Sequence, residues 1–468
     1  MRVLRNVKPT PEQLIVMGDD PGVAVIRGAA GSGKTTTALL RLRLLVGKWL
    51  ARHRRLRLTE PLRVQVLTYN RTLRGYIEEL AEGQIETDES IMLELKTFAK
   101  WALDISGINN WVLVDFDMRS RKIQEFGMGL GQSERFLVDE LEYVLGRFLP
   151  DELHSYLTCE RSGRGASPRW AGRTRQEFLD RVVFPYLQWK KENQLLDFSD
   201  LAIRLATEKV GTPYQVIVVD EAQDFSANEI RAVLNQSAKE RSITFVLDAA
   251  QKIYPKSFTW KEVGLSIQPR HVYTLRNNYR NTKQIAAFIK PILTGVDIGD
   301  DGALPNLDTC LRDGPKPIVI AGLYNRQADW VISNLAKSIN LEKESVVFLK
   351  PAGGKWFNEL KNRLRLAGLP YVELIREAEW PQGDENIALC TMHSAKGLEF
   401  DHVVIIGLNQ ELTPHGLEAG DVTLENLKRL FAMACGRARQ SVTIGYKPGC
   451  ASSLIDCLDP ATFDEVNL

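Results

Sequence analysis

Short apolar runs rich in β-branched residues alternate along the chain with stretches in which apolar residues recur at helical spacing. Before residue 250 these runs lie at 23–28, 64–69, 216–221 and 243–248, and after it at 317–322, 345–350, 402–407 and 441–446. Strands that are apolar along their whole length are typical of parallel sheets covered by helices on both faces. The pattern therefore predicts two α/β cores.

A long segment between the strand runs has a different character. Residues 104–195 are rich in aromatic residues and helical periodicity and contain no strand run. We predict that this segment is a helical insertion into the first core. The expected domains are then a first core formed by 1–103 and 196–268, the insertion 104–195, and a second core formed by 269–468.

The composition is that of a soluble globular protein, with 44% hydrophobic and 25% charged residues. No apolar run reaches the ~20 residues that cross a bilayer, and the first residues lack the apolar core of a secretion signal. We therefore expect a cytoplasmic protein without a membrane partner. The six cysteines form no C-x-x-C pair, so neither a zinc site nor a disulfide framework is predicted.

The charge pattern is only locally informative. A net charge of +1 gives no overall signal for nucleic-acid binding. Two stretches, 41–58 and 161–176, are basic. Each either contacts phosphates or forms a solvated helix face or loop.

A glycine-rich segment between a predicted strand and a predicted helix carries the first chemical signal. Gly28, Gly33, Lys34 and Thr35 fit the pattern G-x-x-x-x-G-K-[ST], with Gly31 inside the same loop. Glycines allow the tight backbone nest whose N–H groups surround phosphates. The lysine reaches the β and γ phosphates of a nucleotide, and the threonine hydroxyl holds Mg²⁺.

Two acidic residues, Asp220 and Glu221, follow the apolar strand at 216–219. A carboxylate is costly to bury at the end of such a strand unless a cation is present. Mg²⁺ bound by Thr35 and Asp220 would supply that cation. Glu221 is then placed to orient or deprotonate the attacking water.

Motifs spread over nearly the whole chain resemble those of the superfamily 1 helicases related to UvrD, Rep and PcrA. They are PTPEQ (9–13), VLTYNRTL (66–73), LKTFAKWA (95–102), LLDFSDLAIRL (195–205), FVLDAAQKIY (245–254), LRNNYRNTKQI (275–285) and CTMHSAKGLEFDHVV (390–404). The resemblance implies two RecA-like P-loop parallel-sheet domains with a helical insertion in the first. It also implies ATP and Mg²⁺ as cofactors and single-stranded nucleic acid, DNA rather than RNA, as partner.

The same resemblance assigns roles to single residues. The nucleotide would contact Gln13, Thr36, Tyr279, Arg280, Gly397 and Glu399, and its γ phosphate would also contact Gln251. The nucleic-acid strand would contact Tyr69, Asn70, Thr97, Phe98, Tyr254, Trp260 and His393. For the three aromatic residues Tyr69, Tyr254 and Trp260, base stacking worth ~1–3 kcal/mol competes with ordinary core packing.

Arg437 lies near the end of a predicted amphipathic helix. Leu424, Leu427, Phe431 and Ala434 form its apolar stripe, and Arg437 falls on the shoulder of that stripe. A partly buried guanidinium needs an anion, which is either a carboxylate of the fold or the γ phosphate. The family resemblance favours the phosphate and makes Arg437 an arginine finger, whereas Arg439 is expected to serve only the fold.

The larger members of this family insert a domain called 2B where this chain has only a short connection near 376–386. The resemblance implies an ATP-dependent translocase or helicase on single-stranded DNA, moving 3′→5′. Two alternatives stay open at this stage. One is a nucleotide-gated subunit of a nuclease-containing phage-defence complex of the Gabija type, and the other is a remodeller of RNA or transcription complexes.

Overall fold

The computed structural model describes residues 9–18, 22–28, 31–68, 90–108, 112–159, 170, 172–247, 258–275, 277–278, 280–296, 310, 312–350, 356–374, 381, 383, 385–413 and 422–468. Five predicted site residues lie outside the described residues: Tyr69, Asn70, Gln251, Tyr254 and Tyr279. Most of the connection at 376–386 lies outside them as well.

The strands alternate with helices along the chain, as the apolar pattern predicted. The strands are β1 Val23–Gly28, β2 Leu62–Thr68, β3 Ile91–Thr97, β4 Val112–Leu113, β5 Leu195–Leu196, β6 Tyr214–Val219, β7 Ser237–Leu247, β8 Val272–Leu275, β9 Ile318–Ala321, β10 Val346–Lys350, β11 Val372–Glu373, β12 Ile387–Thr391, β13 Phe400–Ile405, β14 Ala438–Tyr446 and β15 Asp464–Asn467. The helices are α1 Pro11–Gly18, α2 Lys34–Leu56, α3 Phe98–Ser106, α4 Phe116–Phe126, α5 Glu134–Arg147, α6 Gly172–Phe178, α7 Phe184–Glu192, α8 Phe198–Thr207, α9 Ala227–Asn235, α10 Lys283–Ile289, α11 Tyr324–Ser338, α12 Trp356–Leu366 and α13 Val422–Cys435.

Two parallel sheets form the cores. The first has the strand order β3-β2-β6-β7-β1-β8 and the second the order β11-β12-β10-β13-β14-β9-β15. The predicted α/β class with two parallel sheets is therefore confirmed. Strand β8 pairs with β1, so the first sheet continues past residue 268, where the sequence analysis ended that core.

The strands that the sequence analysis missed lie mostly at sheet edges. β3 and β8 close the first sheet, and β11 and β15 close the second. An edge strand is partly exposed and carries polar residues, as β3 does in IMLELKT. Such a strand lacks the continuous apolar run by which the central strands were recognised.

The described part of 104–195 is helical except for β4, which pairs with β5 at its base. Its own apolar cluster includes Tyr143, Tyr156, Phe178 and Tyr186. A π-helical turn, Leu179–Val183, joins α6 to α7. None of the described helices is long and apolar enough to cross a bilayer.

The basic stretch at 41–58 lies mostly on α2 and is partly structural. Arg41 is fully buried and donates hydrogen bonds to Thr244 Oγ1 at 3.2 Å and to the carbonyl of Val16 at 3.0 Å. Arg52 forms an ion pair with Glu240 at the surface. At least these two arginines therefore serve the fold of the first core.

Candidate active site

The phosphate loop joins β1 to α2. Gly31 and Gly33 have φ angles of +82° and +79°, in the left-handed region that glycine adopts without a steric penalty. A Cβ at Gly31 would overlap the side chain of Asn278 and lie 2.9 Å from Arg280 Cβ. The loop therefore needs glycine both for its turn and for its close packing against 277–281.

Polar groups around this loop suit a phosphate. Lys34, the first residue of α2, donates from Nζ to the carbonyl of Gly28 at 2.8 Å. Among the residues that the structure describes, none hydrogen-bonds the buried Ser32 hydroxyl. A buried hydroxyl normally has a partner, so Ser32 fits a loop built to receive ligand oxygens. Gln13 is buried on the other side, with Nε2 3.5 Å from the carbonyl of Gly33.

Asp220 follows the last residue of β6 and faces the start of α2. Thr35 Oγ1 donates to its carboxylate, at 3.3 Å from Oδ1 and 3.1 Å from Oδ2. Burial and the neighbouring Glu221 raise the pKa of Asp220 to about 7, against the opposing effects of Thr35 and Lys34. A hydroxyl beside a carboxylate that is costly to ionise is an oxygen-ligand pair suited to Mg²⁺.

Glu221 lies in strained backbone beside Asp220. Its φ of +53° is in the left-handed region, which is uncommon for a residue with a side chain and is found mostly at functional sites. Gln223 donates to its carboxylate. Burial would raise the pKa of Glu221, but the positive charges of Lys396, Arg437 and Lys34 lower it overall. This carboxylate is therefore ionised at neutral pH and can accept a proton.

Lys396, a residue of the second core, contacts the first core. The sequence analysis did not predict it as a site residue. Its Nζ forms an ion pair with Asp224 and lies 3.7 Å from Glu221 Oε2. All three side chains are buried, so the pairing occurs where charges interact strongly. A lysine inside the quoted motif at 390–404 was the available signal, but its partner lies 172 residues away in sequence.

The periodicity predicted that Arg437 lies on the shoulder of a helix, but in the structure it lies beyond the helix end. Helix α13 ends at Cys435, and Arg437 occupies the turn that leads to β14. Its guanidinium donates from Nη1 to the carbonyl of Leu398 at 3.4 Å and from Nε to Met433 Sδ at 3.2 Å. Although buried, it helps to lower the pKa of Glu221, so it lies within electrostatic reach of the acidic pair.

Arg439 behaves as expected and serves the fold, with Nη1 3.5 Å from Asp401 Oδ1. Arg280 forms an ion pair with Glu399. Burial would raise the pKa of Glu399, but Arg280, with Arg439 and Arg437, lowers it. Gly397, two residues before Glu399, has a φ of +83°.

Two buried asparagines in the 275–285 motif were also missed. Asn281 Nδ2 donates to the carbonyls of Gly436 at 3.2 Å and Ala438 at 2.6 Å, on either side of Arg437. Asn278 Nδ2 donates to Asn281 Oδ1 at 2.9 Å. Asn278 packs against Gly31 of the phosphate loop, and these bonds join Asn278 and Asn281 to the Arg437 turn, so the three parts lie in one site. The motif itself was the signal for these residues.

The predicted strand contacts are spread over different environments. Thr97 caps α3, where its hydroxyl accepts from the Lys100 amide at 3.3 Å. The ring of Phe98, a predicted strand contact, is buried against Trp101 and Phe225 and is therefore not exposed to a strand in this structure. Trp260 is half-buried with its ring 4.8 Å from that of Phe245, and His393 is exposed. Thr36 is half-buried in the first turn of α2.

Comparisons with known proteins match both halves of the chain. A family model described as an AAA domain matches residues 12–256, and the UvrD-like helicase C-terminal domain matches residues 331–448. A probable DNA helicase of Mycoplasma pneumoniae is 25% identical over 285 residues, which cover 54% of this chain and 49% of that protein. DNA helicase IV of Escherichia coli is 22% identical over 446 residues, which cover 86% of this chain and 61% of that protein.

The chain thus spans about half of one relative and three fifths of the other. Among solved structures, the C-terminal domain of a possible DNA helicase from Lactobacillus plantarum WCFS1 is similar at a TM-score of 0.30 and 24% identity. The matched region covers 40% of this chain and 98% of that structure.

Proposed function

The chain belongs to the UvrD-like helicases of superfamily 1, and from this premise we propose that it hydrolyses ATP to move along single-stranded DNA. One family model matches residues of the first core and the insertion, and the other matches residues of the second core. The names of the two relatives point to DNA rather than RNA as the strand. A 3′→5′ direction is the polarity that the family resemblance implies.

The observation that carries this proposal is the pairing of Lys396 with Asp224 and Glu221 across the two cores. Asp224 and Glu221 follow β6 of the first core, whereas Lys396 precedes β13 of the second. The charge state of the catalytic carboxylate therefore depends on how closely the cores approach. Such a site couples hydrolysis to closure of the cleft.

The residues present fit a magnesium nucleotide. Ser32, Lys34 and the backbone of the glycine loop would bind the phosphates, and Thr35 with Asp220 would hold Mg²⁺, which neutralises charge on the β and γ oxygens. Glu221, ionised at neutral pH, accepts the proton of the attacking water. Arg437 supplies positive charge from the second core where negative charge develops on the phosphoryl group.

The test is steady-state ATP hydrolysis with Mg²⁺, alone and with single-stranded DNA or RNA, in the wild type and in Lys34→Ala and Arg437→Ala. We expect DNA to raise turnover strongly and both substitutions to abolish it, whereas Arg439→Ala, a matched arginine two residues away, keeps most of the activity. Duplexes with a 3′ or a 5′ tail then report polarity. A wild type whose turnover is indifferent to every strand would contradict the proposal.

A further inference from the structure

The turn that carries Trp260 is held by the helical insertion. Both carboxylate oxygens of Glu262 are engaged: Oε2 accepts from the amide of Thr259 at 2.6 Å, within the turn. Oε1 accepts from Arg147 at the end of α5, at 3.2 Å from Nε and 2.5 Å from Nη2. Arg147 of the insertion thus holds the residue two positions after Trp260, whose carbonyl also accepts from Arg231 Nη2 of α9 at 3.0 Å.

Arg147 itself is rigidly placed. It is buried, its guanidinium lies over the rings of Tyr143 and Phe148 at 5.5 and 5.6 Å, and it contacts the Tyr143 hydroxyl. Burial would raise the pKa of Glu262, but its bonds to Thr259 and Arg147 lower it. The pair is therefore ionised, and although Glu262 is exposed, its buried partner Arg147 and its bond to Thr259 hold its carboxylate at both oxygens.

The same end of α5 is docked beside the catalytic loop. Asn228, in the first turn of α9, donates from Nδ2 to the carbonyls of Leu145 and Phe148, both at 2.9 Å. A Cβ at Gly146 would lie only 2.9 Å from Ser226 Cβ. Ser226 follows the catalytic loop, the segment that carries Asp220, Glu221 and Asp224, so the end of α5 contacts the residues directly after this loop and, through Arg147, the Trp260 turn.

The opposite end of α5 faces the second core. Arg135, in the first turn of this helix, is exposed and close enough to His393 for their charges to interact. Helix α5 has 14 residues and is therefore ~21 Å long. One end of the helix therefore holds the Trp260 turn through Arg147, and the charge of Arg135 at the other end acts on His393.

We propose that Arg147 is a positioning residue that links strand binding to hydrolysis by holding the Trp260 turn and the catalytic loop to the insertion as one body. This inference rests on the proposed function, because it assigns Trp260 to the strand. Without the ion pair between Arg147 and Glu262, the Trp260 turn can move relative to the insertion. The strand then has to order this turn when it binds, and that ordering costs binding free energy.

The experiment compares the wild type with Arg147→Met, Glu262→Gln and the double variant. The concentration of single-stranded oligothymidylate that gives half-maximal stimulation of ATP hydrolysis is measured beside the KM for ATP. Each single change is expected to raise the strand concentration about tenfold and the KM for ATP by less than about twofold. Glu262→Gln is the milder change and covers the case in which Arg147→Met folds poorly.

The double variant separates coupling from additive damage. If the two side chains act as a pair, it requires about tenfold more strand, as each single variant does, rather than about a hundredfold. Lys122→Met with Glu125→Gln removes a surface ion pair of 2.7 Å from the same insertion, outside the basic stretch 161–176, and is expected to change nothing.

Two outcomes would overturn the inference. The positioning role is refuted, and the motor is left intact, if a strand stimulates the wild type but the single variants lie within twofold of it. The same holds if the effects of the two single changes multiply in the double variant. A wild type that no strand stimulates refutes the proposed function and this inference together.

Discussion

Asp220→Asn is expected to stabilise the metal-free protein while abolishing turnover. Asparagine has nearly the same shape as aspartate and keeps an oxygen to accept the Thr35 hydroxyl, 3.1–3.3 Å away, but carries no charge. The wild-type carboxylate is buried beside Glu221, which is why its pKa rises from 3.8 to about 7. Without Mg²⁺ the folded state therefore keeps the proton to about pH 7, whereas the solvated carboxyl group of the unfolded state ionises near pH 3.8.

The sign follows from the two pKa values. Below 3.8 both the folded and the unfolded protein carry the proton, and the carboxyl group costs nothing. As pH rises from 3.8 to about 7, the unfolded chain loses the proton first and stability falls, and above about 7 the loss is complete. At ~1.4 kcal/mol per pKa unit, the full loss is ~4 kcal/mol. Because the asparagine amide must also be desolvated, we expect a net gain of ~2 kcal/mol at pH 8.

The assay is urea unfolding of both proteins in EDTA at pH 5 and pH 8, followed by circular dichroism. The midpoint of the variant should exceed that of the wild type by a margin that grows with pH. Glu221→Gln is the adjacent comparison: because the folded protein lowers the pKa of Glu221, neutralising it should reduce stability at pH 8. Mg²⁺ with a nucleotide should raise the midpoint of the wild type more than that of Asp220→Asn.

The reasoning is refuted if Asp220→Asn unfolds at a lower urea concentration than the wild type at pH 8. It is refuted as well if the difference between the two proteins is the same at both pH values. Either result would mean that the carboxyl group is not held in its protonated form in the metal-free site.

Three further predictions concern single contacts. Lys396→Met removes the largest positive influence on Glu221, so the acidic limb of the kcat profile should move to higher pH; an unmoved limb would contradict this. Arg437→Lys should lower kcat by about 10³ or more, with a small effect on the KM for ATP, because a lysine lacks the planar fork; steady-state kinetics decides. Gly146→Ala should destabilise the protein by ~1–3 kcal/mol through overpacking. Gly47→Ala in α2, where a Cβ meets nothing within 4 Å, should instead stabilise it by ~0.5–1 kcal/mol. The thermal unfolding midpoints of the two variants test both predictions.

Much of the fold was readable from local pattern. Most central strands were predicted because each is buried on both faces and therefore apolar throughout, although β12, inside the second sheet, was missed and β7 begins six residues before the predicted run. The helix before Arg437 was predicted for a similar reason, and α13 buries Phe431 and Ala434 while Leu424 and Leu427 are half-buried. Its end was not predicted, since nothing in the spacing marks the turn at Gly436.

The order and identity of the phosphate-loop residues and of Asp220 and Glu221 also came from the sequence. Their chemistry is local. Glycines provide the positive φ angles at 31 and 33, and acidic residues at the end of an apolar strand indicate a cation site. The side chain of Phe98 shows the limit of this approach, because burial against Trp101 and Phe225 depends on segments far apart in the chain.

The sequence by itself determined the two parallel sheets and the family and predicted a nucleotide site, because dihedral preferences, apolar runs and motif spacing are properties of neighbouring residues. Only the tertiary structure decided which charges and which buried polar groups meet. Lys396 pairs with Asp224, Asn281 with the backbone around Arg437, and Arg147 with Glu262, over separations of 115 to 172 residues. A buried charge must find an opposite one wherever the chain brings it, and that choice is made by packing of the whole molecule.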